Sequence, residues 1–257
     1  MRANTLKQKL SQGVAAFGAI VNADAPEVVE LYGAIGYDFV FIDCEHGPMS
    51  VDQVEHMVRA AEAYDITPLA RIPDHADATI LRFLDRGVQG IIVPHVNTAQ
   101  QAEAIAKAAR YYPDGHRGAG GGRPNQFGAP AMSREEANRF VNDNTLVIPM
   151  IEEVEAVKNL DAIVKVHGVD MLHIASGDLS QSMGYPGEQE VWRVMEDAVR
   201  RVRAAGKYAS VGGNNPGNPQ RVAQFIKVGA NAITISALGL MRIAAEDFRK
   251  KVEAASH

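Results

Sequence analysis

Short apolar segments alternate along the chain with longer segments in which apolar residues recur every three or four positions. The apolar segments predict buried strands and the periodic segments predict amphipathic helices. Eight strands are expected at residues 15–21, 38–43, 68–72, 90–96, 146–151, 171–175, 208–211 and 232–235. After a first helix near the N-terminus, helices are expected at 25–33, 50–61, 78–86, 98–111, 154–166, 188–205, 218–228 and 238–255.

Strands that alternate with helices indicate a parallel sheet covered by helices. Eight β/α units in 257 residues favour a (β/α)₈ TIM barrel, which typically needs about 250 residues. The competing Rossmann fold needs a Gly-x-Gly-x-x-Gly turn after the first strand, and residues 22–26 contain no glycine. No linker or low-complexity segment divides residues 1–257, so a single domain is expected.

Composition narrows the class of protein. The chain has 26 Lys and Arg against 31 Asp and Glu, a net charge of −5, which disfavours nucleic acid or an anionic membrane as a partner. No apolar segment approaches the ~18 residues that a membrane helix needs. The single cysteine, Cys44, excludes an intramolecular disulfide and a cysteine-based zinc site, and it favours the cytoplasm.

Candidate catalytic residues follow the second and third strands, at the barrel end where such folds carry their chemistry. Asp43, Glu45 and His46 follow the second strand. Asp43 and His46 suggest a carboxylate that orients an imidazole for acid/base catalysis, although a capped turn with solvated acids is the alternative. Arg71 ends the third strand, where it could form a structural ion pair or stabilise a developing oxyanion.

Two carboxylates follow neighbouring strands, Glu152 after the fifth and Asp178 after the sixth. They suit a hard divalent cation that keeps several waters, or else a helix cap and a helix-dipole partner. Beside Asp178, Ser176 and Gly177 offer backbone N–H groups to a carboxylate or phosphate. His95, at the end of the fourth strand, is either a ligand, a general base or a hydrogen-bonded structural histidine.

Several other mechanisms lack their motifs. The sequence has no Gly-x-x-x-x-Gly-Lys-[Ser/Thr] phosphate loop and no Gly-x-Ser-x-Gly nucleophile turn. None of the expected strands contains the lysine that a Schiff-base aldolase requires. Carbonyl chemistry in this barrel is therefore expected to use a metal ion.

With these motifs in order, the chain resembles the HpcH/HpaI family of class II, metal-dependent pyruvate aldolases. The resemblance runs from about Ala15 to the last helix. Its carrying motifs are residues 43–48, the strand end at Arg71, residues 112–118, Ile151-Glu152 with 156–159 behind it, and residues 177–180 leading to 183–185.

The resemblance implies a role for each site residue. Glu152 and Asp178 would coordinate Mg²⁺, Mn²⁺ or Co²⁺, and Ser176 and Gly177 would bind the keto-acid carboxylate. Arg71 would stabilise the enolate oxygen of pyruvate. His46, paired with Asp43, would act as the acid/base group through a water bound to the metal. The family also implies a homohexamer whose last helix packs on a neighbouring subunit.

The implied activity is a carbon–carbon lyase reaction that cleaves or forms a 4-hydroxy-2-oxo acid through the enolate of pyruvate or hydroxypyruvate. Two alternatives are an oxaloacetate decarboxylase that uses the same site and a catalytically silent carboxylate-binding barrel. Departures from the family pattern occur at Cys44, at Ser176-Gly177 and in residues 120–127. These positions are expected to border the substrate pocket, so the acceptor aldehyde is not identified. The longer segment 113–130 suggests a lid, an interface or a flexible linker.

Overall fold

Eight parallel strands close into a barrel in the computed structural model, which describes residues 2–129 and 132–256. Each strand pairs with the next one along the chain, and the last pairs with the first. The strands are β1 (Ala16–Val21), β2 (Phe39–Asp43), β3 (Thr67–Arg71), β4 (Gly90–Val93), β5 (Leu146–Ile151), β6 (Met171–Ala175), β7 (Tyr208–Asn214) and β8 (Ala232–Ser236).

Helices surround the barrel and separate successive strands, which confirms the (β/α)₈ prediction. The helices are α1 (Thr5–Ser11), α2 (Pro26–Ala34), α3 (Val51–Ala63), α4 (Asp77–Asp85), α5 (Ala99–Ala109), α6 (Arg134–Asn144), α7 (Val154–Ile163), α8 (Ser176–Ser182), α9 (Glu188–Ala204), α10 (Pro219–Val228) and α11 (Ala237–Ala255). A 3₁₀ turn at Arg123–Gly128 lies between α5 and α6. No helix of the described residues is both long and apolar enough to cross a membrane.

The apolar residues form two layers because the strands are buried on both faces. One layer fills the barrel interior, where Phe39 and Phe41 pack with Leu69 and Ile92. Leu6 and Leu10 of α1 join this layer and close the amino end of the barrel. The second, larger layer lies between the strands and the outer helices. A barrel packed in this way leaves the carboxyl ends of the strands for the polar site residues.

Two helices were not predicted. In α6 only Ala137, Val141 and Asn142 are buried, so the apolar stripe is too short for the periodicity to reveal it. A capping box of Ser133 and Glu136 begins this helix and is the sequence signal that identifies it. In α8 only Leu179 is buried, so this short helix also has no apolar stripe that the periodicity could reveal.

Residues 120–127 lie elsewhere than expected. Arg123 of this segment pairs with Glu62 at the end of α3, and Gly122 lies against Asp85 at the end of α4. Helix ends in a β/α barrel lie beside the amino ends of the strands, whereas the predicted catalytic residues lie at the carboxyl ends. Within this chain, residues 120–127 therefore do not border the expected substrate pocket, and Pro130 falls outside the described residues.

Candidate active site

A carboxylate and a guanidinium face each other where β2 and β3 end. Asp43 and Arg71 are register partners and the last residues of their strands. The Arg71 Nε and Nη2 atoms donate to the two oxygens of Asp43 at 2.9 and 2.7 Å. This two-point geometry is the strongest form of an arginine–carboxylate pair. Both side chains are almost fully buried, so the pair fixes the guanidinium at the rim of the barrel.

Glu45 completes the surroundings of Arg71. Its Oε2 atom lies 3.0 Å from Arg71 Nη1, so each guanidinium nitrogen faces a carboxylate. Burial lowers the pKa of Arg71, but Asp43, Glu45 and Glu152 outweigh it and raise the pKa overall. The other Glu45 oxygen lies 3.4 Å from His95 Nε2. Glu45 thus links the arginine of β3 to the segment that follows β4.

His95 lies two residues beyond the end of β4 in a left-handed conformation, with φ of 56°. This geometry turns its backbone N–H toward Glu152, whose Oε1 atom accepts at 2.8 Å. Its exposed imidazole pairs through Nδ1 with Glu153 Oε1, also at 2.8 Å. The hydrogen bond to Glu153 is the main cause that raises the pKa of His95. His95 is thus a hydrogen-bonded histidine at the rim of the barrel, one of the alternatives expected from the sequence. Its backbone N–H adds a contact with Glu152 that was not expected.

Glu152 is the most unusual carboxylate of the site. It follows β5 directly and is only 1% exposed. Its Oε2 atom is buried and has no hydrogen-bond partner among the described residues. The pKa of Glu152 is raised to about 7, mainly by burial; the charges of Glu45 and Asp178 act in the same direction, and the hydrogen bond from the His95 N–H opposes them. A buried carboxylate oxygen without a donor is costly unless a cation or a proton joins it.

Asp178 and the residues before it lie at the start of α8, directly after β6. Asp178 is half-buried in the first turn, and its charge acts on Glu152. The Ser176 hydroxyl donates to the Gly213 carbonyl at 3.2 Å, while Gly177 is exposed and meets no neighbouring atom at its Cβ position. The chain at Gly177 is therefore open to an incoming group.

The structure does not form the expected pair between Asp43 and the His46 imidazole. Both Asp43 oxygens bond to Arg71, and Oδ1 also accepts the backbone N–H groups of Glu45 and His46 at 3.2 Å. The exposed His46 ring makes no hydrogen bond to any described residue. The strand register explains this difference, because it places Arg71 directly opposite Asp43 and so saturates the carboxylate.

Three further features of the described residues bear on the chemistry of the site. Burial and the Asp43 charge raise the pKa of the Cys44 thiol to about 12, so it is not a nucleophile. His173 is enclosed in the barrel interior, where its Nδ1 atom lies 2.9 Å from the Ser210 hydroxyl. The eight described strands contain no lysine, which excludes a Schiff base formed on a strand.

The residues present fit a divalent cation. The Glu152 oxygen without a partner lies in the field of Asp178 and Glu45, and a cation would relieve the repulsion among these carboxylates. No group of three or more His, Cys, Asp or Glu in the described part of the chain forms a metal cage. One or two carboxylates with the remaining positions left to water and substrate is the arrangement typical of Mg²⁺.

Sequence reasoning missed two features of this site. Glu45 was grouped with its neighbours but was not expected to pair with Arg71. The contact between the His95 backbone and Glu152 depends on a positive φ, for which the sequence carries only a weak signal, since histidine is among the residues enriched in that conformation.

Comparison with known proteins places the chain in a family. The family model described as HpcH/HpaI aldolase/citrate lyase matches residues 17–241. The 2-keto-3-deoxy-L-rhamnonate aldolase of Shigella sonnei is 34% identical over 242 residues, which cover 91% of this chain and 89% of that protein.

Solved structures show the same fold over nearly the whole length. The crystal structure of citrate synthase SbnG has a TM-score of 0.84 and 31% identity, covering 98% of this chain and 99% of that one. An HpcH/HpaI aldolase from Desulfitobacterium hafniense has a TM-score of 0.88 and 27% identity, covering 98% and 97%. The aldolases among these relatives do not favour the decarboxylase or the silent barrel. The chain is an aldolase, a carbon–carbon lyase, and it belongs to the HpcH/HpaI aldolase/citrate lyase family.

Proposed function

We propose that this aldolase cleaves, and in reverse forms, 4-hydroxy-2-oxo acids through the enolate of pyruvate or hydroxypyruvate. The 2-keto-3-deoxy acids named for its relatives are members of this class of substrate. The observation that carries the proposal is the buried, unpartnered oxygen of Glu152, which lies beside the charge of Asp178 on the same rim as Arg71.

Glu152 and Asp178 would hold the divalent cation, for which we propose Mg²⁺, Mn²⁺ or Co²⁺. A divalent cation bound there supplies Lewis-acid polarisation of the keto group and stabilisation of the enolate charge. Ser176 and Gly177 would bind the carboxylate of the same keto acid through their backbone N–H groups. The open chain at Gly177 leaves these groups accessible.

Arg71 would stabilise the enolate oxygen. Its guanidinium is held by Asp43 and Glu45 before substrate arrives, so no reorganisation is needed when negative charge develops. Each terminal nitrogen of a guanidinium carries two N–H groups, and the contacts with Asp43 and Glu45 each use one of them. The second N–H of a terminal nitrogen is thereby left for the substrate.

His46 would carry the proton. In cleavage, the His46 imidazole accepts the proton of the C4 hydroxyl, and the bond between C3 and C4 breaks. The electron pair of that bond passes to C3 and forms the enolate, while C4 leaves as the carbonyl carbon of an aldehyde. Protonation of C3 then yields the keto acid. The exposed imidazole has no partner among the described residues and is free to take part, while Asp43 anchors the backbone turn on which it sits.

A paired substrate assay tests this proposal. The enzyme is treated with a chelator, Mg²⁺, Mn²⁺ or Co²⁺ is added back, and pyruvate release is followed from a 4-hydroxy-2-oxo acid and from oxaloacetate. We expect metal-dependent release from the hydroxy-oxo acid. Release from oxaloacetate alone, or activity that needs no metal, would contradict the proposal.

A matched pair of variants tests the metal ligands. We expect Glu152→Gln to lose metal binding in calorimetry while the protein stays folded, because the amide removes the charge that attracts the cation. Glu153→Gln changes a neighbouring, partly exposed carboxylate and should retain metal binding. Equal affinity in the Glu152 variant and the unaltered protein would place the metal elsewhere.

We further propose that the chain assembles as a homohexamer in the cytoplasm, with α11 packed on a neighbouring subunit. Among the described side chains of α11 only Ala237 is buried. Leu238, Met241, Phe248 and Val252 of this helix are exposed large apolar residues, with Phe248 70% exposed. An apolar series of this length on a terminal helix supports a protein contact.

A further inference from the structure

Gly213, near the carboxyl end of β7, lies against the first residue of α8. Its φ is +71°, and a Cβ atom added to it would overlap the Ser176 Oγ atom and lie 3.2 Å from the Ser176 backbone nitrogen. Both the left-handed backbone and the nearness of Ser176 therefore require glycine at this position. Across this close approach the Ser176 hydroxyl donates to the Gly213 carbonyl, and we call this contact the Ser176–Gly213 clasp.

The strand that carries Gly213 is irregular at this point. Between Val211 and Asn214 the register with β8 shifts, so that three steps along β7 match two steps along β8. A bulge of this kind redirects the backbone of a strand beside an active site. The Asn214 side chain spans it and donates to the carbonyls of Val211 and Thr234 at 3.1 and 2.9 Å. The protein itself therefore fixes the bulge that carries Gly213.

The helix on the other side of the clasp has few anchors of its own. It has seven residues, of which only Leu179 is buried. At its far end the Ser182 hydroxyl accepts the Val154 N–H at 2.9 Å. Beside its first turn lies a cavity of about 250 Å³, whose lining includes Ser176, Gly177 and Gly213. Because packing leaves space there, the clasp supplies a restraint that side-chain burial does not.

We propose that the Ser176–Gly213 clasp positions the backbone N–H groups of Ser176 and Gly177 for the carboxylate of the keto acid, and that Gly213 is a positioning residue of the reaction. The inference rests on the proposed function, in which these groups bind that carboxylate. The N–H groups in the first turn of a helix have no acceptor within the helix, so the way the turn is held sets their direction. Hydrogen bonds weaken steeply when the donor turns away from the acceptor.

Calorimetric titration with pyruvate at saturating Mn²⁺ tests the clasp, with a separate titration of the metal-free protein with Mn²⁺. Ser176→Ala removes the hydroxyl and should weaken pyruvate binding about three- to ten-fold, the range for one lost hydrogen bond. Gly213→Ala also displaces Ser176 and should weaken it about ten-fold or more. In both variants the loss of pyruvate affinity should exceed any loss of Mn²⁺ affinity.

Gly206→Ala is the matched control for backbone strain. Gly206 lies between α9 and β7 with φ of +78°, and a Cβ atom added to it would meet no atom within 4 Å. This variant introduces the same unfavourable backbone conformation without touching Ser176, so it should keep the pyruvate affinity. An equal loss in Gly206→Ala and Gly213→Ala would overturn the inference, because strain alone would then explain both.

The double variant separates positioning from strain at Gly213 itself. If Gly213→Ala acts by breaking the clasp, adding Ser176→Ala should cause no further loss of pyruvate affinity. Losses that multiply in the double variant would mean that the two residues act independently, and would overturn the inference.

Amide hydrogen exchange of the metal-free protein tests the clasp without a ligand. Ser176→Ala should exchange faster than the unaltered protein across residues 179–182, and equal exchange would overturn the inference. Unaltered protein that binds no pyruvate with Mn²⁺ would contradict the proposed function, and the inference with it. Unaltered protein and variants that bind pyruvate equally well would contradict the inference alone.

Discussion

Arg71 shows how a single side chain acquires its catalytic orientation. Its three nitrogens face Asp43 and Glu45, so its position is set by the protein before a ligand binds. Lysine carries the same charge but lacks the planar fork that makes the two-point contact with Asp43. The site therefore needs a positive charge that is held in a fixed orientation, and not merely a positive charge.

We therefore expect Arg71→Lys to lower kcat about 10²–10³-fold, the cost of removing one oxyanion donor, with little change in metal affinity. Steady-state kinetics and metal calorimetry measure the two effects separately. A rise in KM with unchanged kcat would argue against a role on the enolate.

His46 is expected to act on protons alone. His46→Ala should slow aldol cleavage and the exchange of pyruvate methyl protons with solvent, each by about 10²–10⁴-fold, with metal affinity retained. NMR follows the exchange of the methyl protons, and the release of pyruvate from a 4-hydroxy-2-oxo acid follows the aldol cleavage. Full cleavage activity in this variant would refute the assignment and make His95 the next candidate.

At the scale of an element, the connection after β4 matters through its backbone. Its left-handed residue, His95, donates its N–H to Glu152 and so holds the proposed metal ligand from a neighbouring strand. Glycine and asparagine adopt this conformation readily, whereas a β-branched residue does not.

We expect His95→Val to weaken divalent metal binding about ten-fold, because the strained backbone withdraws the N–H from Glu152. His95→Gly and His95→Asn should keep the affinity, and they serve as controls that remove the same imidazole. Calorimetric titration with Mg²⁺ or Mn²⁺ measures the series. An equal loss in all three variants would mean that the ring, and not the backbone, matters.

At the scale of the whole molecule, the barrel interior makes stability depend on pH. Burial lowers the pKa of His173 to about 3, while the unfolded chain leaves it near 6.5. Between these values the unfolded state binds more protons, so the stability that His173 contributes is present above pH 6.5 and is lost as the pH falls. The slope is about 1.4 kcal/mol per pH unit.

We expect His173→Asn to remove this slope while its amide retains a polar contact with Ser210. Urea unfolding of both proteins between pH 4 and 7 gives the difference directly. Parallel stability curves for the two proteins would show that His173 is not neutral in the folded state.

Assembly is also decided at this scale. Phe248→Glu should convert the proposed hexamer to smaller species, because it places a charge within the apolar series of α11. Lys250→Glu introduces the same residue on an exposed position of the same helix and should leave the assembly intact. Light scattering measures the mass, and a hexamer that survives Phe248→Glu would exclude this face as the contact.

The sequence by itself determined the order of strands and helices and the strand ends at which Asp43, Arg71 and Glu152 lie. Apolar periodicity and strand alternation are local properties, so they can be read along the chain. The structure confirms that the barrel is closed. Among the described helices, α6 and α8 were not predicted, because they are polar and bury few side chains.

Only the tertiary structure decided which of these side chains meet. Strand register sets Asp43 opposite Arg71 instead of the His46 imidazole, and a left-handed residue brings a backbone donor to Glu152. Residues 120–127 lie at the amino ends of the strands, and Arg117, just before them, is buried. These contacts join residues far apart in sequence, and packing and hydrogen bonding across the barrel select them.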